Sequence, residues 1–211
     1  MFDYESEPPL SIEEVFIFAQ NRKIDYILDM ATNAIVAGGY DPAVLPEKST
    51  SVKEGFIPVT VKLRDGTIEG LSGITRIGNV TVPENSENFE FQFSGKLGIS
   101  QGKATYKYTA WVSGYILVSL DVVATIDQVG MEYEIENCKG CSAILTNLEI
   151  TVGRIDVNIK GHGVVNWVTS LVSNEIKGYI NSAFKEEVKR EIQKALDDFG
   201  PFGEEFSENS G

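Results

Sequence analysis

Apolar positions recur every three or four residues towards both ends of the chain and every second residue between them. From Val164 to Phe199 they fall at Val165, Val168, Leu171, Val172, Ile176, Tyr179, Ile180, Ala183, Phe184, Val188, Ile192, Ala195 and Leu196. That spacing is one face of an α-helix, and no proline interrupts it before Pro201. At ~1.5 Å rise per residue this helix runs roughly 50 Å, longer than a compact domain of this size is wide. A sheet packed along it must be long and curved, and the two together enclose a hydrophobic pocket or tunnel. A second helix starts at Ser11, which forms a capping box with Glu14. It continues through Ile12, Val15, Phe16, Ala19, Ile24, Ile27, Leu28, Ala31 and Ile35 to a stop at Gly38-Gly39. The polar run Gln20-Asn21-Arg22 is a place where it could break in two.

Between the helices the period is two, as in Ala104, Tyr106, Tyr108, Ala110 and in Ile116, Val118, Leu120, Val122, Ala124, Ile126. The alternate positions are mostly polar, so one face is buried and the other wet, the pattern of an antiparallel sheet. Arg64-Asp65-Gly66-Thr67 reads as a hairpin turn, and Asp41–Pro46 as a rigid, extended connection. Gly73, Gly78, Gly95, Gly98 and Gly114 suit bulges and strong coiling. The expected class is α+β, a long curved antiparallel sheet wrapped around a long C-terminal helix, with a second, N-terminal helix. Residues 1–10 are expected to be a flexible lead-in, 11–199 one elongated domain, and 200–211 an acidic flexible tail.

With 211 residues, 42% of them hydrophobic, the chain can bury a sizeable core. It has no uninterrupted apolar run of ~18 residues, so no membrane-spanning helix or stable membrane insertion is expected. The start MFDYESEPPL shows neither a basic region nor an apolar stretch, so a secreted protein would already have lost its leader. The net charge of −13 repels nucleic acid and disfavours strong attraction to anionic membranes.

Catalytic chemistry finds little support. The single histidine, His162, lies between two glycines at the sheet–helix junction, with no Gly-x-Ser-x-Gly elbow to accompany it. Asp198-Phe199-Gly200 matches the kinase metal-binding triplet by letters only, because it ends a helix and no phosphate loop precedes it. No enzyme activity, metal site or cofactor is expected. Cys138 and Cys141 are too few for a zinc site, and they lie between two strand-like runs. They form either a short disulfide across a hairpin turn or two free thiols, and the disulfide suits an oxidising, extracellular compartment. Asn79-Val80-Thr81 is a glycosylation sequon.

The candidate pocket wall is Ile27, Leu28, Ala31, Tyr106, Tyr108, Trp111, Ile116, Val118, Trp167, Leu171 and Tyr179. Small inward residues such as Ala31, Ala104, Ala110, Ala124 and Ala183 leave room opposite the curved strands.

Several segments resemble the mite group 7 allergens. Asp41-Pro42-Ala43-Val44-Leu45-Pro46 is similar to their connection after the first helix. Gly55 to Val61, Gly70-Leu71 and Arg76-Ile77-Gly78-Asn79-Val80 are similar to their first strands, and Asn147-Leu148-Glu149-Ile150 through the terminal helix fits the same plan. Asn181-Ser182-Ala183-Phe184-Lys185 resembles the terminal helix of arthropod takeout and juvenile-hormone-binding proteins. The resemblance covers about residues 11–199. It implies the elongated lipid-binding superfold shared with bactericidal/permeability-increasing proteins, in which a curved sheet wraps a long helix around an apolar cavity. One departure is plain: takeout-type members carry an N-terminal disulfide, and here no cysteine precedes Cys138.

The expected function is to bind and carry a lipid or other hydrophobic small molecule in an apolar cavity. The alternative is an interaction module, an innate-immune or surface-recognition protein or allergen, whose concavity is filled and whose protein partner the sequence does not name.

Overall fold

The computed structural model describes residues 11–54, 57–82, 91–112, 115–137, 141–159 and 166–200. The lead-in, the tail beyond residue 200 and His162 lie outside these residues.

Helix α1 (Ile12–Ala37) opens on the expected capping box. The Ser11 hydroxyl accepts from the Glu14 N–H, and the Glu14 carboxylate accepts from the Ser11 N–H at 2.7 Å. The helix closes at Gly38, followed by Gly39 at a φ of 75°. It does not break at Gln20-Asn21-Arg22. Gln20 and Asn21 are buried and continue the stripe of Ile24, Ile27, Leu28, Ala31 and Ile35. For Asn21 the reason is the strand it meets, which offers unpaired backbone, whereas the Gln20 Oε1 is buried without a partner. The Asn21 Oδ1 accepts from the Val80 N–H at 3.0 Å, and its Nδ2 donates to Asn79 Oδ1 at 2.9 Å.

Among the described residues ten strands follow: β1 (Ala43–Leu45), β2 (Lys48–Glu54), β3 (Ile57–Glu69), β4 (Ile74–Thr81), β5 (Phe91–Ile99), β6 (Gly102–Val112), β7 (Tyr115–Ile126), β8 (Val129–Asn137), β9 (Ile144–Val152) and β10 (Ile155–Ile159). All their pairings are antiparallel, and they divide between two sheets. Six strands run in the order β1-β3-β6-β7-β10, with β2 also on β3; four run β4-β5-β8-β9. The chain passes between sheets at 70–73, 100–101, 127–128 and 153–154, and Ile99, Ile126 and Val129 are buried at these passages. Such short links inside continuous alternation carry the curvature that the sequence implied for one long sheet.

Arg64–Thr67 is not a hairpin turn. It is a bulge inside the 13-residue β3, where Asp65 takes a φ of 50° and the register to β6 shifts by one residue. This lets one strand pair β2 along its first half and β1 along its last. The Asp41 carboxylate, at the entry to β1, accepts from the N–H groups of Gly70 (2.9 Å) and Ser72 (2.6 Å), pinning the connection to the first passage between sheets.

The terminal helix is continuous but not uniform. Helix α2 (Asn166–Tyr179) passes through a π-turn at Ile180–Phe184 into α3 (Lys185–Phe199). The Ser182 hydroxyl donates to the Gly178 carbonyl at 2.5 Å, competing with the backbone ladder where the turn widens. Ile180 and Phe184 remain fully buried through the widened turn. Helix α3 packs against α1 and β9, and α2 lies nearest β10.

Candidate functional site

The inner faces of the two sheets meet different helices, and the predicted wall residues are shared between them. Ile27, Leu28 and Ala31 are buried on α1, and the first two face the four-stranded side. With Ile24, Leu97, Tyr133, Ile135, Leu145 and Ile192, the first two line an apolar space of about 10 Å³, room for one water molecule. Side chains already fill this compartment.

Tyr106 and Tyr108 are buried on the inner face of β6 in the six-stranded sheet. Trp167, near the start of α2, stands against Tyr108 with ring centroids 6.2 Å apart at 56°. Leu171 lies one turn further on, half-buried like Trp167, Val118 and Tyr179. The register places Val118 opposite Ala110, Leu120 opposite Tyr108, and Val157 opposite Ala124, so all three share the inner face with the tyrosines. They pack against the core yet stay partly exposed. Two polar atoms here are buried without a partner, the Trp167 indole Nε1 and the Thr169 hydroxyl.

Trp111 does not belong to this lining. It is three residues from Tyr108, so alternation turns it to the outer face, where the Lys62 ammonium (5.1 Å) and the Arg64 guanidinium (5.4 Å) lie over its ring. The side chain of Ile116 lies outside the described residues.

Each inner face also holds a tyrosine laid across a glycine. The Tyr106 ring occupies the place a side chain at Gly66 would take, and the Tyr133 ring does the same at Gly95. Burial pushes both phenols above their usual range, helped at Tyr106 by the charge of Glu175. At Tyr133 burial dominates, with the Arg76 charge opposing it and the Asp25 charge adding to it. The Tyr106 hydroxyl donates to the Pro46 carbonyl at 3.4 Å, whereas the Tyr133 hydroxyl is buried without a partner. Burial likewise raises Tyr179, with Tyr40, Glu187 and Asp41 adding to the effect.

A surface groove between β1 and the π-turn is lined by Val44, Pro46, Glu175, Gly178, Tyr179 and Ala183. Nearby, α3 buries Glu187 and Glu191 against Arg190, whose guanidinium also lies over Tyr40 at 5.8 Å. No signal in the chain marks this cluster, because Glu-x-x-Arg-Glu on a helix is also the pattern of a solvated face. Among the described residues no group of His, Cys, Asp and Glu could hold a metal ion, and no helix is long and apolar enough to cross a membrane. Strands β8 and β9 pair as a hairpin around the cysteine segment. Cys138 lies outside the described residues, so the expected bridge to Cys141 does too.

The fold and this lining can be set beside known proteins. The structure of a lipopolysaccharide binding protein is similar over 85% of this chain, with 14% identity and a TM-score of 0.55. This chain spans 38% of that protein's length, and the likeness is one of fold. Takeout 1 of Epiphyas postvittana matches over 84% of this chain and 89% of its own, with 14% identity and a TM-score of 0.37. No curated protein matches the chain. A family model described as group 7 allergen matches residues 19–198. The match runs from within α1 to the last turn of α3, and the chain belongs to the group 7 allergen family.

Proposed function

We propose that this protein binds and carries a lipid or other hydrophobic small molecule between the inner face of the six-stranded sheet and α2. The observation that carries the reading is the row of inward apolar side chains left half-exposed there, Val118, Leu120, Val157, Trp167 and Leu171. Covering such a row with an apolar ligand gains roughly 25 cal/mol per Å². The unpartnered Trp167 Nε1 and Thr169 hydroxyl supply hydrogen bonds for a polar end of the ligand. The groove between β1 and the π-turn is the proposed mouth, since a widened helical turn beside an edge strand is a place where the wall can shift. The mechanism is sequestration, without catalysis.

The filled four-stranded side favours a second reading, an interaction module that carries no ligand. Native mass spectrometry after gentle extraction separates the two. A carrier brings an apolar adduct with it, and a bare mass together with no uptake of an uncharged apolar fluorophore overturns carriage.

We further place the protein outside the cell, with Cys138 and Cys141 joined as a short disulfide. Intact mass under denaturing conditions, with and without reductant, should differ by the two thiol protons. Two thiols that alkylate fully without reduction would count against both statements.

A further inference from the structure

We propose that Asn79 carries an N-linked glycan whose first sugar sits in a groove on the outer face of the four-stranded sheet. The proposal is independent of the ligand reading. Between Ile77 and Thr81 the β4–β5 ladder is interrupted: Ile77 pairs Lys96 and Thr81 pairs Ser94, so β4 spends four steps where β5 spends two. Gly78, at a φ of 70°, lets the strand bulge. The bulge turns Val80 into the core and Asn79 out to solvent. Asn21, buried on α1, then holds the Asn79 carboxamide by its oxygen at 2.9 Å. That leaves Nδ2, the atom to which N-glycans attach, to the groove that Asn79 lines.

The groove has a volume of about 270 Å³, near the lower end for small-ligand sites at ~300 Å³, which suits one sugar ring. Thr81, Ser94, Glu132, Glu134 and Asn147 line it with hydroxyls, carboxylates and an amide, and Ile77 adds an apolar side. Gly95 and Tyr133 complete the lining at its base. Two carboxylates against the single ammonium of Lys96 disfavour an anion. Acceptors beside apolar surface instead match a neutral ring with hydroxyls on its rim and C–H groups on its face. In the transfer, sugar C1 parts from the diphosphate oxygen of a polyprenyl-diphosphate-linked oligosaccharide and bonds to Nδ2. Nδ2 gives up one proton to the oligosaccharyltransferase, and polyprenyl diphosphate leaves.

The test directs the full chain through the secretory pathway of insect cells. Intact mass should show an added glycan that peptide amidase digestion removes, converting Asn79 to aspartate, and that Asn79→Gln and Thr81→Ala both lack. Backbone hydrogen exchange over residues 77–81 and 93–97 should be several-fold slower in the glycoprotein. An endoglycosidase product that keeps only the first sugar should retain that protection, and the amidase product should match Asn79→Asp without it. A secreted, folded chain with no added mass overturns the attachment. A glycan whose three forms exchange alike overturns its seat in the groove. Neither result bears on the fluorophore assay.

Discussion

In the four-stranded half, side chains of both packed helices bond directly to strands. Asn21 and Asp25 on α1 hold β4, the first through the Val80 N–H and the second through two bonds of 2.9 and 3.0 Å to the Arg76 guanidinium. Gln193 on α3 accepts from the Leu145 N–H at 2.8 Å and donates to the Ala143 carbonyl at 3.1 Å. In the six-stranded half, α2 is tied to β2 by the Lys48–Glu175 ion pair at 3.0 Å, and Val168, Val172 and Ile176 are buried beneath it. The inward side chains of β7 and β10 are not all covered by that contact. The same alternation of apolar and polar residues has thus produced one sealed compartment and one partly open. The helix contacts differ in kind: Asn21 and Gln193 bond to strand backbone, whereas Glu175 meets β2 through a side-chain ion pair.

The largest expected effect sets the halves against each other directly. Ile27→Ala removes a fully buried side chain from the sealed compartment and should lower unfolding free energy by about 2–5 kcal/mol in urea titrations, leaving fluorophore affinity unchanged. Leu171→Ala truncates a half-exposed side chain, so it should cost stability less, about 1 kcal/mol, while weakening fluorophore binding. Equal effects of the two substitutions on binding would erase the distinction between the compartments.

Next in size are the two glycines. A Cβ at Gly95 would fall 2.5 Å from the Tyr133 hydroxyl oxygen, and one at Gly66 would strike the Tyr106 ring and come within 2.9 Å of Leu45. Gly66→Ala and Gly95→Ala should each destabilise by about 1–3 kcal/mol. Gly66→Ala should in addition change fluorophore uptake, because Tyr106 belongs to the open compartment and Tyr133 to the sealed one. Thermal melts and uptake measured on the same samples decide it.

Much of this division was legible in the chain, but unevenly. The Ser11–Glu14 box, the Gly38-Gly39 stop and the period-two runs of β6 to β10 follow from local rules, and the structure realises each of them. Trp111 was legible too, since an odd separation from Tyr108 turns it outward; its size drew it into the predicted wall against that parity. Other features were not local. The Arg64–Thr67 bulge uses the same Asp-Gly letters as a hairpin turn, and only the competing partners β1 and β2 reveal which one forms. The polar Gln20-Asn21 pair looks like a helix break until the bulged backbone of β4, nearly sixty residues away, is brought to Asn21. The split into two sheets is silent in the sequence because the passages at 100–101 and 127–128 are only two residues long and leave the alternation undisturbed. The predicted wall therefore joined residues of two inner faces that pack against different helices.

The tyrosine hydroxyls give a finer test. Removing the Tyr106 hydroxyl loses its bond to Pro46, so Tyr106→Phe should cost about 0.5–1 kcal/mol near neutral pH. Tyr133→Phe deletes a buried hydroxyl that no protein atom satisfies and should be neutral or slightly stabilising in unglycosylated protein. Both phenols are raised by burial, and folding favours their neutral form. Their contribution is therefore fully present below the unfolded value near ~10 and is lost as pH rises beyond it towards the folded one. Each Phe variant should accordingly lose less stability than the parent above pH ~10.

The smallest expected effect is on ligand affinity between pH ~5.5 and ~8. The open lining described here is Val118, Leu120, Val157, Leu171, Trp167 and the two tyrosines of β6, none of which changes charge in that window. Burial moves the Tyr106 phenol still further from it. Glu175, on the helix that covers the lining, is paired with Lys48 and lies at the groove beside β1. A ligand held by apolar contact in the open half should therefore bind with affinity constant to within about tenfold, ~1.4 kcal/mol, for one uncharged fluorophore at fixed salt. A larger change would place an ionisable group against the ligand, and Lys48→Met would then tell where. If that substitution abolished the pH dependence, the molecule would be sitting at the β1 groove. If the dependence survived it, the ligand would be touching a titrating group elsewhere, and the apolar lining proposed for the six-stranded half would be wrong.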